Sequence, residues 1–148
     1  MPHIERTARL GWDGNLARGA GTIDGESGAL ARLPFSLASR IGEPGGKTSP
    51  EELLAAAHGG CLTMSLAGEL TAAGTPPERL DATCTIVMDE VDGQGHQIVG
   101  SRVEFVVRAG DLDDARLQAA LAQADEGCPF SQLLRRAGAD VEASARLA

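Results

Sequence analysis

The sequence predicts an α+β fold built on an antiparallel sheet, and three observations carry that expectation. Strand-like segments come in blocks and do not alternate strictly with helices. Residues 81–91 and 98–108 each alternate apolar and polar positions, and Asp92-Gly93-Gln94-Gly95 joins them as a hairpin. Between the blocks, a run opening at Thr48 is apolar nearly all round and too long for a strand. The 148 residues match the size of one domain, so a single domain over 1–148 is expected, with a core that needs no staples.

Residues 5–33 read as short strands joined by glycine turns, with Asp13-Gly14 and Asp24-Gly25 as hairpin signals. Residues 34–49 read as a loop, because Gly42, Pro44, Gly45 and Gly46 oppose regular structure. A helix then starts with Ser49 as N-cap, Pro50 at its first position and Glu51 and Glu52 at the positive end of the dipole. It runs to about Ala73, where Gly74-Thr75-Pro76-Pro77 ends it. Leu53, Leu54, Ala55, Ala56, Ala57, Leu62, Met64, Leu66 and Ala67 cover nearly its whole circumference, so it should be buried on most sides.

In the strand 81–91, Ala82, Cys84, Ile86 and Met88 share one face. In 98–108, Val99, Val103, Phe105 and Val107 face one way and Arg102, Glu104 and Arg108 the other. Residues 112–126 form an amphipathic helix with Leu117, Ala120, Leu121 and Ala124 inward. A short helix begins near Cys128 and ends by Gly138, and 139–147 is a last strand with Val141, Ala143 and Ala145 inward. A helix buried all round in so small a domain needs extra cover, which a second copy of the chain supplies; a homodimer is expected.

Composition removes several function classes. The net charge is −8 and no basic stripe is present, which argues against nucleic-acid binding. No apolar run is long enough to span a bilayer, and residues 1–20 lack the apolar centre of a signal peptide. The expected location is cytoplasmic, where thiols rest reduced, and three cysteines are an odd number for a structural disulfide framework. Aromatic residues make up only 3% of the chain, with no Tyr, so Ala, Leu and Val must build the core. No dinucleotide, phosphate-loop or serine-elbow motif is present, and no cofactor is expected.

The cysteines are the candidates for chemistry. Cys61 lies one turn after His58, on the same face of the long helix. Gly59 and Gly60 between them cost roughly 1 kcal/mol each relative to Ala, which calls for close backbone packing or access beside the sulfur. Cys128 stands at a helix start, where free N–H groups and the dipole favour a thiolate. Cys84, on the inward face of its strand, reads as structural. A thiol at its ordinary pKa of about 8.5 is only a few per cent ionised at neutral pH, so a peroxide-reducing cysteine needs a cation. Arg40 is the candidate cation, with Glu51 to aim it. The plain alternatives are a small core thiol, a packing histidine and a solvated loop arginine. His58, Cys61 and Cys128 are too few for a firm metal site, and none is expected.

Four stretches together resemble the OsmC/Ohr family, the osmotically induced and organic-hydroperoxide-resistance proteins. They are Gly19-Ala20-Gly21-Thr22 with Glu26-Ser27-Gly28, the Ser39-Arg40 loop, Ser49-Pro50-Glu51-Glu52-Leu53 through His58-Gly59-Gly60-Cys61, and Gly127-Cys128-Pro129-Phe130-Ser131. The Ala57-His58 pair and the arginine in the loop look more like the OsmC branch. Gly59 and Gly60 depart from the alanines more usual there, and the Gly/Pro loop after Arg40 is slightly stretched. The resemblance implies an OsmC-like fold, with antiparallel sheets wrapped around long central helices in an intertwined homodimer. It also implies thiol-dependent reduction of hydroperoxides, organic ones above hydrogen peroxide. By resemblance, Cys61 is the attacking cysteine, Cys128 the resolving one, Arg40 the activating arginine and Glu51 its orienting carboxylate. An external dithiol, a lipoyl-type one by resemblance, would reset the Cys61–Cys128 disulfide.

His58, Leu54, Met64 and Phe130 are expected to line the substrate pocket. Glu51 lies ten residues before Cys61, about 15 Å along a straight helix. Arg40 spans that gap, the helix kinks at Gly59-Gly60, or Glu51 serves the partner's site. The rivals are a non-catalytic stress or binding protein with structural cysteines, and a metal-binding protein using His58, Cys61 and Cys128.

Overall fold

A computed structural model describes residues 2–148, and the chain divides after Pro50 into two compact units. The first holds strands β1 (Ala8–Asp13), β2 (Ala20–Gly25) and β3 (Leu33–Phe35), followed by helix α1 (Leu37–Ile41). The strands form one antiparallel sheet in the order β1-β2-β3. Both glycine hairpins form where expected. Gly14 leaves β1 with a φ of +89°, a value that L side chains resist. Past β2, the Asp24 carboxylate accepts from the Arg32 N–H at 2.9 Å and closes the turn into β3.

Residues 34–49 are not wholly a loop. Ser36 caps α1, its hydroxyl accepting from the Ser39 N–H at 3.2 Å. Gly42 ends the helix after five residues. So short a helix has no apolar periodicity to read, and the Gly/Pro-rich stretch behind it hid the serine cap. Arg40 therefore stands in the last turn of a helix.

The second unit holds most of helix α2 (Pro50–Ala72), strands β4 (Arg79–Val91) and β5 (Gly95–Arg108), helices α3 (Asp114–Gly127) and α4 (Pro129–Arg136), and strand β6 (Asp140–Leu147). The hairpin β4–β5 is antiparallel, from Arg79 opposite Arg108 to Val91 opposite Gly95, with a bulge at Val87/Met88. The expectation of a purely antiparallel sheet needs one correction, because β6 runs parallel to β5. The chain leaves β5, makes α3 and α4, and re-enters the sheet in the same direction, as a helical crossover permits.

The core follows from the periodicities. On β5, Ser101, Val103, Phe105 and Val107 point inward. On α3, Leu117, Ala120, Leu121 and Ala124 do so. Leu62, Leu66 and Leu70 of α2, spaced four apart, are fully buried against them. Burying each leucine contributes roughly 2 kcal/mol of hydrophobic stabilisation. The same stripe begins with His58, also fully buried.

The expectation that α2 is buried on most sides does not hold within one chain. Ala56, Gly60 and Gly68 are exposed, and Met64 is 72% exposed. Apolar residues surround the helix, but only one stripe of it finds cover. Among the described residues, no helix is long and apolar enough to cross a membrane.

Gly59 accounts for one of the two costly glycines. A Cβ there would sit 2.9 Å from the Cys84 Cβ, so α2 crosses β4 at a separation only glycine permits. Nothing lies within 4 Å of a Cβ at Gly60. Gly59→Ala should lose stability by overpacking, about 1–3 kcal/mol less the roughly 1 kcal/mol that alanine gains in a helix. Urea denaturation measures this, and a raised midpoint would contradict the close approach.

Candidate active site

Pro129 shapes the centre of the site. A proline disfavours helical backbone in the residue before it. Cys128 accordingly leaves the helical region, at φ −74° and ψ 116°, ending α3 and opening α4 at one residue. The break turns its side chain into the core, where it is fully buried. Pro129 takes the first position of α4, where a missing N–H costs nothing.

Cys61, three residues past His58 on α2, meets Cys128 there. The two reduced thiols are neighbours in the core, and the Phe130 backbone N–H and the Ser65 side chain lie on the Cys61 side of the contact, where they favour its thiolate. The helix start that the sequence offers to Cys128 thus serves Cys61. Cys128 makes no side-chain capping bond, and the free N–H in the first turn of α4 is aimed at the other sulfur. The structure brings the two predicted thiols together from elements far apart in sequence.

Burial pushes the Cys61 thiol above its ordinary range, and the neighbouring Cys128 pushes it further. Two sulfurs in contact hold one negative charge more readily than two. The Phe130 N–H and the Ser65 hydroxyl oppose this without overcoming it.

His58, expected among the pocket-lining groups, stands on α2 one turn before Cys61. It is fully buried, and both ring nitrogens are engaged. Nδ1 lies 2.6 Å from the Ser101 hydroxyl on β5, and Nε2 lies 2.8 Å from the Ser131 hydroxyl on α4. A neutral imidazole offers one donor and one acceptor, and either tautomer satisfies both serines. Burial, the largest influence, lowers the His58 pKa; Asp125 raises it and Arg135 lowers it. Cys84 stands beside the same pair of groups. Its sulfur lies 3.6 Å from the Ser101 hydroxyl and 4.0 Å from His58 Nδ1, and it lines a groove of about 370 Å³ with Gly59 and Gly60.

The other predicted residues stand within their own units. Arg40, in the first unit, is exposed and lines a largely apolar cavity of about 340 Å³ with Trp12, Leu16, Phe35 and Leu37. Glu51 is half-buried in the first turn of α2. The helix continues through Gly59 and Gly60, so the rise from Glu51 to Cys61 stays about 15 Å. Leu54 and Phe130 are half-buried, and Phe130 packs on the core. Met64 is open. Among the described residues, no group of three or more His, Cys, Asp or Glu is placed to hold a metal ion.

Four residues of these sites escaped the sequence reading. Ser65 is one turn past Cys61, Ser131 stands in the Cys-Pro-Phe-Ser stretch, and Ser101 is the polar member of an apolar strand face. Each had a positional signal. Trp12, on a strand whose residues are all exposed, had none.

Two predictions follow from these electrostatics. Neutral burial of His58 stabilises the fold fully above the unfolded-state pKa of about 6.5, and that stability is lost as pH falls below it, until the lower folded-state pKa is reached. Thermal unfolding should therefore show Tm falling from about pH 7.5 to about 5.5, and His58→Gln should flatten that slope. An equal slope in the variant would contradict neutral burial. Ser65→Ala should raise the Cys61 pKa further and slow its alkylation by iodoacetamide at neutral pH several-fold, about the effect of one hydrogen bond. An unchanged alkylation rate would remove Ser65 from the site.

Comparison with known proteins gives the family and the fold. Residues 42–144 match the family model described as OsmC-like protein. The chain is 35% identical over 133 residues to the Escherichia coli protein named peroxiredoxin OsmC, covering 89% of this chain and 91% of that one. The fold matches a crystal structure of an organic hydroperoxide resistance protein OsmC from Legionella pneumophila, with a TM-score of 0.69, 23% identity and coverage of 94% and 96%. It also matches the organic hydroperoxide resistance protein OhrB of Bacillus subtilis, with a TM-score of 0.69, 23% identity and coverage of 95% and 98%.

Proposed function

Because this chain belongs to the OsmC-like protein family, we propose that it is a cysteine-based hydroperoxide reductase acting on organic peroxides, and on hydrogen peroxide less well. The observation that carries the reading is the contact between Cys61 and Cys128, two reduced thiols under the first turn of α4.

The reaction follows from that contact. The Cys61 thiolate attacks the terminal oxygen of the peroxide, the O–O bond breaks, and the departing alkoxide takes a proton to leave as an alcohol. Cys61 becomes a sulfenic acid. The Cys128 sulfur displaces the hydroxyl from Cys61, releasing water and forming the disulfide. An external dithiol, of the lipoyl type, then exchanges twice and leaves oxidised.

Burial and the neighbouring Cys128 both disfavour the Cys61 thiolate, so a positive charge near the sulfur would assist the first step. Arg40 is the residue proposed to supply it, and Glu51 the carboxylate proposed to aim it. The length of α2 between Glu51 and Cys61 favours a Glu51 that serves the site of a second copy. The open apolar face of α2 supports an intertwined homodimer, in which the two units of the chain belong to one OsmC-like domain. The cavity beside Arg40 suits the apolar part of an organic peroxide.

One observation favours the other reading, a binding protein with structural cysteines: the raised Cys61 pKa is what an inert thiol shows. Iodoacetamide reactivity against pH separates the two in the intact protein. The peroxidase reading expects Cys61 to ionise below about 8.5, and an inert thiol ionises above it.

Turnover tests the reading directly. Cys61→Ser should abolish peroxide consumption, and retained activity would end the proposal. Cys128→Ser should consume one equivalent and then accumulate sulfinic acid on Cys61, seen by mass spectrometry. A protein that gains no oxygen under peroxide would contradict it.

A further inference from the structure

We propose that His58 and Ser131 are positioning residues that hold Cys61 and Cys128 in register for disulfide closure, a role that rests on the peroxidase reading above. His58 precedes Cys61 by three residues on α2, and Ser131 follows Cys128 by three in α4. Each thiol therefore has a neighbour at the same offset, and the two neighbours bond each other, His58 Nε2 to the Ser131 hydroxyl at 2.8 Å. The contact between α2 and the start of α4 has two rungs, one of sulfur and one of imidazole and hydroxyl.

The second rung is anchored. The opposite ring nitrogen lies 2.6 Å from the Ser101 hydroxyl on β5, so the ring cannot flip without breaking both bonds. His58 and Ser131 are 0% exposed and Ser101 is 2% exposed, so water does not compete. Apolar side chains filling the same space would stabilise the core comparably, because pairing two buried polar groups adds little net energy. What the polar pair adds is direction.

Direction matters at one step. When Cys61 carries the sulfenic oxygen, its thiol proton is gone and the sulfur rung is broken. The Cys128 sulfur must then reach the Cys61 sulfur along the S–O axis. An S–S bond forms, the S–O bond breaks, and the hydroxide leaves as water with the Cys128 proton. The His58–Ser131 rung is a directional polar link between the two elements that persists while this happens. Misplacing reacting atoms by about 1 Å costs on the order of 100-fold in rate, so a modest slip is readable.

The test uses the full-length reduced protein, rapid mixing with one equivalent of cumene hydroperoxide, and separate readings of sulfenic acid formation and loss of the second thiol. Ser131→Ala should form sulfenic acid within about two-fold of the wild-type rate, close the disulfide at least about ten-fold more slowly, and accumulate sulfinic acid under excess peroxide. Ser131→Thr, which keeps the hydroxyl, should restore closure, and His58→Leu should behave as Ser131→Ala does. If His58→Leu does not fold, Ser131→Ala, which removes a single oxygen atom, decides alone. Wild-type closure in a folded Ser131→Ala protein, even with a lowered Tm, would overturn the proposal and leave the pair a structural bond. Closure driven by diamide, which oxidises paired thiols without peroxide, keeps the two readings apart. A wild type inert to peroxide whose diamide closure still depends on Ser131 would defeat the peroxidase reading and keep the positioning role, whereas diamide closure indifferent to Ser131 would defeat the positioning role.

Discussion

The sulfur of Cys61 can reach that of Cys128 because Pro129 breaks one helix into two. A proline at 129 disfavours helical backbone at Cys128 and leaves the first-turn N–H groups of α4 free of backbone partners. The break puts Cys128 in an extended conformation, buries its thiol, and frees the Phe130 N–H to meet Cys61. The other chemical features of the second unit are arranged around this junction. α2 supplies Cys61, Ser65 and His58 from neighbouring turns, β5 supplies Ser101, and α4 supplies Ser131. Gly59 lets α2 lie close enough to β4 for the imidazole to reach the strand serine.

The same burial sets a conflict at the site. A dry setting protects a sulfenic acid and strengthens every hydrogen bond around it, yet it disfavours the thiolate that must form first. The Phe130 N–H and the Ser65 side chain favour the Cys61 thiolate, and a fixed positive charge would favour it further. That gain is the physical reason for assigning a role to Arg40, whose guanidinium stays protonated at any working pH.

Much of this was legible in the sequence. Strand alternation on β4 and β5, the Ser49-Pro50-Glu51-Glu52 start of α2 and the inward face of α3 all appear where periodicity and capping chemistry place them. The Cys-Pro pair marked the α4 start. Five things were not legible, each for a definite reason. α1 is too short to show a period. The direction of β6 depends on the path of the crossover, and local sequence carries no record of it. The apolar circumference of α2 describes what the helix can bury, not what one chain covers. The partners of His58 lie on β5 and α4, and spacing along one helix pointed toward Cys61 only. Cys84 reads as apolar from its strand face, but the hydroxyl of Ser101, on the strand paired with its own, makes its surroundings polar.

Counting thiols in the intact protein before and after one equivalent of cumene hydroperoxide tests the central contact most directly. The account predicts the loss of two thiols per chain, Cys61 and Cys128, with Cys84 still reactive and both lost thiols recovered by a dithiol. A chain that keeps all three thiols, or loses only Cys61 with no disulfide to Cys128, would contradict it.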